Sequence, residues 1–148
     1  MNINWNRVKP NENIRGVHTK GDGSLQFGKT KNGNASNAIA FYKTSRKKLG
    51  VDGGSKVSIG FSGDRVFITT KPSPVMFTLN SARYLYDKNL VGEIIKCLTG
   101  QYPSRRKTYK ILIDFVEVEN NPGIFEIVKH IEKDEFGFFQ MNGVYEAH

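Results

Sequence analysis

The chain has one cysteine, Cys97, so no disulfide can form within it. It has no apolar run near the roughly 20 residues needed to span a bilayer as a helix. Its first residues, "MNINWNRVKPNENIRG", hold no apolar stretch of the kind that forms a signal peptide. Together these absences lead us to expect a cytoplasmic protein without a membrane anchor. Histidine is scarce and dispersed. His18, His130 and His148 stand apart, without cysteine or paired acid at metal-ligand spacing, so a zinc site is not expected. No Gly-rich stretch has P-loop spacing. "GDGS" (Gly21–Ser24) and "DGGSK" (Asp52–Lys56) read as turns. No nucleophile, base and orienting group can be assembled, so an enzyme is not expected, nor a cofactor or small-molecule substrate.

Acid is also scarce, but only in one half. Residues 1–71 hold 13 Lys and Arg against Glu12, Asp22, Asp52 and Asp64, a net of +9. Residues 72–148 hold nine against ten acids, a net of −1. The formal charge of +8 therefore resides entirely in the first half. Such asymmetry suits a polyanionic partner, because Lys and Arg contacts to phosphate supply most non-specific affinity for nucleic acid. The plainer reading is a basic surface that keeps the protein soluble.

What is present in quantity is aromatic and apolar. Ten Phe and six Tyr, within 38% hydrophobic residues, are enough for a real core in 148 residues. Residues 1–23 read as an irregular arm, with Trp5 as a candidate anchor to the body. "SLQFGK" (Ser24–Lys29) and "AIAFY" (Ala38–Tyr42) read as strands around the turn-rich "TKNGNASN". A short helix follows, capped by Thr44 or Ser45 and ended by Gly50. "SKVSIGF" alternates Val57, Ile59 and Phe61 on one face; "SGD" turns, and "RVFITT" returns.

The order then repeats. "VMFTL" (Val75–Leu79) and "ARYLY" (Ala82–Tyr86) read as strands. Asp87 caps a helix with Leu90, Val91, Ile94, Ile95 and Leu98 on one stripe, and Gly100 ends it. Cys97 beside that stripe reads as a small hydrophobe. "TYKILIDFVEV" (Thr108–Val118) alternates strongly, leaving Asp114 on the solvated side. "NNPG" turns, and "IFEIVKHI" (Ile124–Ile131) returns. The tail, with Phe136, Phe138, Phe139 and Tyr145, reads as a further strand or as a segment that pairs with another chain.

The stretch "AIAFYKTSRKKLGVDGGSKVSIGFSGDRVFITT" (residues 38–70) resembles the AbrB-like family of swapped-hairpin transcription factors. The resemblance rests on Arg46-Lys47-Lys48-Leu49-Gly50-Val51, then Gly54-Ser55-Lys56-Val57, then Asp64-Arg65-Val66-Phe67-Ile68. It implies an α+β, β-rich fold with two pseudo-repeated AbrB-like ββαββ units packed as one barrel-like body. The basic unit covers residues 24–71, a degenerate second copy residues 75–131, and the aromatic tail residues 132–148. Family members bind DNA as intertwined dimers, so a fused pair implies a pseudo-dimer. Carried over by position, the resemblance puts Lys43, Arg46 and Lys47 on DNA, with Lys29 and Lys31 on the preceding hairpin.

Charge clustering adds Lys48 on the same helix, and Arg105 and Arg106 in the loop "GQYPSRRKTY", where Tyr102 could stack a base. For the helix cluster the plainer reading is a solvated face whose cations favour the helix C-terminus. The expected function is DNA binding by a transcriptional regulator. The alternative is a protein-interaction module, an adaptor or inhibitor, that keeps the fold without DNA and meets a protein partner or a second copy by strand addition.

Overall fold

The structure is a computed structural model that describes residues 21–28, 37–133, 139–140 and 145–147. The chain forms β1 (Gly23–Phe27), β2 (Ala38–Phe41), α1 (Lys43–Leu49), β3 (Lys56–Ser62) and β4 (Arg65–Thr69). It continues through β5 (Phe77–Thr78), β6 (Tyr84–Tyr86), α2 (Lys88–Thr99), β7 (Thr108–Glu117) and β8 (Ile124–Lys129). Three short strands follow: β9 (Glu132–Lys133), β10 (Phe139–Gln140) and β11 (Tyr145–Ala147).

Eight strands lie in the order β5-β3-β4-β8-β7-β1-β2-β6 and curl into a nearly closed barrel with two helices. The fold is therefore β-rich α+β, as expected. β10 pairs with β9, and β11 adds to β7 with Tyr145 opposite Lys110. Part of the tail is thus a further strand, while Phe136 and Phe138 lie outside the described residues.

The order has an internal logic. β1 does not pair with β3 or β4 but with β7, Leu25 opposite Ile111. β5 likewise pairs with β3, Val57 opposite Phe77. Exchanging β1–β4 for β5–β8 therefore turns the β1–β7 pair into the β5–β3 pair, and β3–β4 into β7–β8. The β4–β8 and β2–β6 pairs map onto themselves. Among these eight strands the symmetry breaks between the first two strands of each half: β1 and β2 form a ladder, whereas β5 and β6 do not, and Asn80 N–H, beyond the end of β5, reaches Tyr84 O of β6 at 2.9 Å. Each first strand thus closes against the opposite half, so neither half completes its sheet alone.

The core follows from the alternation. On β7, Ile111, Ile113 and Phe115 are buried and face Leu25 of β1 and Ile68 of β4 within one apolar cluster. Fully burying one such side chain contributes about 1.5–3 kcal/mol. β2 is buried at every position, which fits its unbroken apolar run. The stripe of α2 closes the core, with Leu90, Val91, Ile94 and Ile95 buried and Leu98 packed at its margin. Gly23 is required: a Cβ there would lie 2.3 Å from the Ala40 carbonyl oxygen across the β1–β2 ladder. Gly23→Ala should therefore cost about 1–3 kcal/mol through forced separation of the strands, read from the midpoint of urea unfolding.

Three expectations are corrected. The Val75–Leu79 and Ala82–Tyr86 strands shrink to Phe77–Thr78 and Tyr84–Tyr86. Asn80 is the cause, because its Oδ1 accepts from both Ala82 N and Tyr84 N at 2.9 Å and bends the segment. Arg83 there takes a left-handed φ of 63°. α1 starts at Lys43, ahead of the expected caps, and no side chain caps it. Thr44 instead donates to Gly21 O at 3.3 Å and Ser45 to Tyr42 O at 2.9 Å. Gly23, expected in the irregular arm, opens β1, while Gly21 and Asp22 are bends and Asp22 is buried. The rest of that arm, Trp5 included, lies outside the described residues.

The caps of α2 match the reading. Asp87 Oδ1 accepts from Leu90 N at 2.9 Å, and Gly100 takes a left-handed φ of 83°. Asp87→Ala is expected to destabilise the fold by about 1 kcal/mol, measurable by thermal unfolding followed by circular dichroism.

Candidate nucleic-acid interface

α1 is seven residues long and anchors through Ser45 and Leu49, both buried. Its other positions face outward. Lys43 and Lys47 are exposed and Arg46 is half-buried, and none of the three is ion-paired with a described residue. Gly50 ends the helix at φ 70°, so the last turn carries Arg46, Lys47 and Lys48 beside its free carbonyls.

Lys48 has another task. Its Nζ lies 2.6 Å from Asp22 Oδ2 and donates to Phe115 O at 3.1 Å. Asp22 Oδ2 also accepts the Phe115 N–H at 2.8 Å. The geometry explains why. β1 begins at Gly23, opposite Ile113, so the β7 edge runs out of strand partner just beyond that point. Asp22 and Lys48 supply the missing acceptor and donor to Phe115 and so finish the ladder with side chains. Burial alone would raise the Asp22 pKa, but the Lys48 ammonium and the Phe115 N–H outweigh it and hold the carboxyl below its usual value.

The same end of the barrel carries further pairs. Asp114 was expected to be solvated. Its Oδ2 instead accepts from His130 Nδ1 at 2.8 Å, and its Oδ1 accepts from Asp22 N at 3.2 Å. Asp114 follows Ile113, where β7 passes the end of β1, and His130 follows the neighbouring β8, with its N–H on Leu112 O. Asp52 pairs with Arg83, Oδ1 to Nε at 2.8 Å, and also senses Arg46. Two acids thus pair with Lys48 and Arg83, while Lys43, Arg46 and Lys47 form no ion pair with a described residue, Arg46 lying within the field of Asp52.

Arg105 and Arg106 are exposed but belong to the opposite end. The β1–β2 register sets Gly23 against Phe41, just ahead of α1. The other end of β1, Phe27, lies opposite Tyr109, which follows the Arg105–Lys107 loop closely. One strand length therefore separates the two cationic clusters. Lys29 and Lys31 lie outside the described residues. Gly28, the last described residue before them, sits against Lys107 O, at the loop end and not at the α1 end.

Tyr102 is fixed in place. Its hydroxyl donates to Glu93 Oε1 at 3.0 Å, and Lys96 Nζ stands 4.5 Å from its ring centroid. Cys97 sits at the edge of the core, and burial first, then Glu93 and Asp64, push its thiol up. No group of three His, Cys, Asp or Glu residues among the described residues is arranged to hold a metal ion. No described helix is long and apolar enough to cross a membrane.

Compared with protein-family models, with curated proteins and with solved structures, the chain finds no match.

The sequence reading missed Asp22, Asp114 with His130, and Arg83. Only the Asp22–Lys48 pair carried any local signal, a lone acid beside glycine ahead of a strand. Its partners are 26 and 93 residues away in sequence.

Proposed function

We propose that the chain is a DNA-binding protein of the AbrB-like swapped-hairpin type, with Lys43, Arg46 and Lys47 of α1 on the phosphate backbone. The observation that carries this reading is the cationic face of α1, where Lys43, Arg46 and Lys47 have no ion-pair partner among the described residues while neighbouring Lys48 and Arg83 are paired. The family reading draws support from the exchange of β1 and β5 between halves. Swapped hairpins make that exchange between two copies, and here one chain contains both. The two helix starts are unlike. α2 opens with Asp87, Lys88 and Asn89, so the second half offers a weaker phosphate contact and DNA engages one side of the pseudo-dimer.

In this reading the chain binds and performs no reaction. Backbone contacts position the protein, and sequence preference is a smaller component. The Asp114–His130 pair ties β7 to the end of β8. The test is the affinity for a random-sequence duplex across a salt series. The expected result is a linear fall of log K with log salt, about 0.9 in slope for each phosphate neutralised. A flat dependence, or no binding at low salt, would count against the reading and favour the protein-interaction alternative.

A further inference from the structure

We propose a second nucleic-acid subsite, at the end of the barrel opposite α1, that takes one unpaired nucleobase against Tyr102 with its phosphates on Lys88 and Arg105. The site is a cavity of about 270 Å³ between the first turns of α2 and the loop after it. Phe27 forms its apolar floor, Tyr102 and Pro103 one wall, and Lys88, Asn89 and Arg105 its polar rim. The volume is near the lower end for ligand sites, which begin around 300 Å³. It suits one base with part of its sugar.

Tyr102 is the decisive residue. It is 56% exposed, yet its ring is held twice, by the hydroxyl bond to Glu93 and by Lys96 over its centroid. An exposed loop tyrosine held in this way presents a preorganised aromatic surface, so little ordering entropy remains to be lost on binding. Among the described residues Glu93 is the only carboxylate lining the cavity, and the Tyr102 hydroxyl engages it. Lys88 and Arg105 form no ion pair with a described residue, so the rim is cationic. Gly92 also lines the cavity, and a Cβ there would lie 3.9 Å from the Phe27 ring, so glycine leaves more room beside that floor.

The combination of a π-face with flanking cations is how single-stranded nucleic acid is held without sequence readout. A phosphotyrosine peptide offers similar chemistry. Nucleic acid is favoured because Arg106 extends the cationic rim beyond the cavity, as a continuous polyanion requires. This site does not depend on α1, so the two proposals can fail separately.

The test uses the full chain and two end-labelled oligonucleotides of about ten residues, within the usual site sizes. One is oligothymidylate and the other is the same backbone without bases. Oligothymidylate should bind more tightly. Tyr102→Ala should weaken it about fivefold to a hundredfold, the range for removing one stacked base, and leave the abasic strand unchanged. Tyr102→Phe should retain most of the difference, since the ring remains. Reversing Lys43, Arg46 and Lys47 should lower duplex affinity and spare the base-dependent difference. Equal affinity of both oligonucleotides for the parent protein, or an unchanged difference in Tyr102→Ala, would overturn the proposal. Binding of a phosphotyrosine peptide in preference to oligothymidylate would overturn it in favour of a protein ligand.

Discussion

Reversing the three cations of α1 that pair with no described acid, as Lys43→Glu, Arg46→Glu and Lys47→Glu together, is expected to weaken duplex binding at least about a hundredfold at low salt. A unit charge about 4 Å from a phosphate contributes roughly 1 kcal/mol in water, and reversal replaces that attraction with repulsion. The salt slope should fall as well, by about 0.9 for each phosphate that is no longer neutralised. The fold should lose only about 1–2 kcal/mol, because none of the three is part of the buried core and the cost is that of placing carboxylates at positions 46 and 47, beside the last carbonyls of α1. The comparison variant is Arg105→Glu with Arg106→Glu, which should change duplex affinity far less. Fluorescence anisotropy with one labelled duplex reads both. Equal weakening in the two variants would mean that charge acts at a distance through the whole surface and that α1 makes no specific contact.

The second large effect concerns stability. Asp22→Ala should cost about 2–4 kcal/mol, the scale for removing a charge-assisted hydrogen bond and leaving a buried backbone N–H unsatisfied. The variant removes the Lys48 ion pair and the acceptor for Phe115 N at one stroke. Lys48→Ala should cost less, because its side chain is 45% exposed and water can replace it at the Phe115 carbonyl. The pH dependence has a definite sign. The Asp22 pKa is lower in the folded state than unfolded. Its contribution is therefore present in full above the unfolded value, near 3.8, and fades as pH falls through the lower folded value. Urea unfolding at neutral pH and at about pH 3 should show the gap between parent and Asp22→Ala shrinking. A gap that is unchanged or larger in acid would contradict the role given to Asp22.

Much of the fold was legible because its signals are local. Alternating Ile111, Ile113 and Phe115, the Gly63 turn between β3 and β4, and the Asp87 and Gly100 caps of α2 each state their element within a few residues. The element order also pointed to two similar halves, although residue identity between them is low. What sequence could not give is which strand meets which. The exchange of β1 and β5 is a long-range fact, set by how the two apolar faces close one core, and no short pattern encodes it.

The site divides along the same line. The cations of α1 were visible as a cluster, but their roles were not. Lys48 looks like Lys47 in sequence, yet one completes a strand edge through Asp22 and the other faces solvent. Likewise Asp114 has the expected outward register, but His130 arrives from the end of the adjacent strand and engages it. Tyr102 and Arg105 were singled out as neighbours in a loop, whereas Phe27 and Lys88, which complete the cavity, come from other elements. Function depends on these side-chain placements, which the fold alone does not set.

The most direct test of the DNA-binding account is a nuclear magnetic resonance titration of the labelled chain with a short duplex. The account predicts that the amides of residues 43–50 shift first and furthest, while those of Arg105 and Arg106 move little. Shifts confined to the loop after α2, with α1 unmoved at saturating duplex, would contradict it.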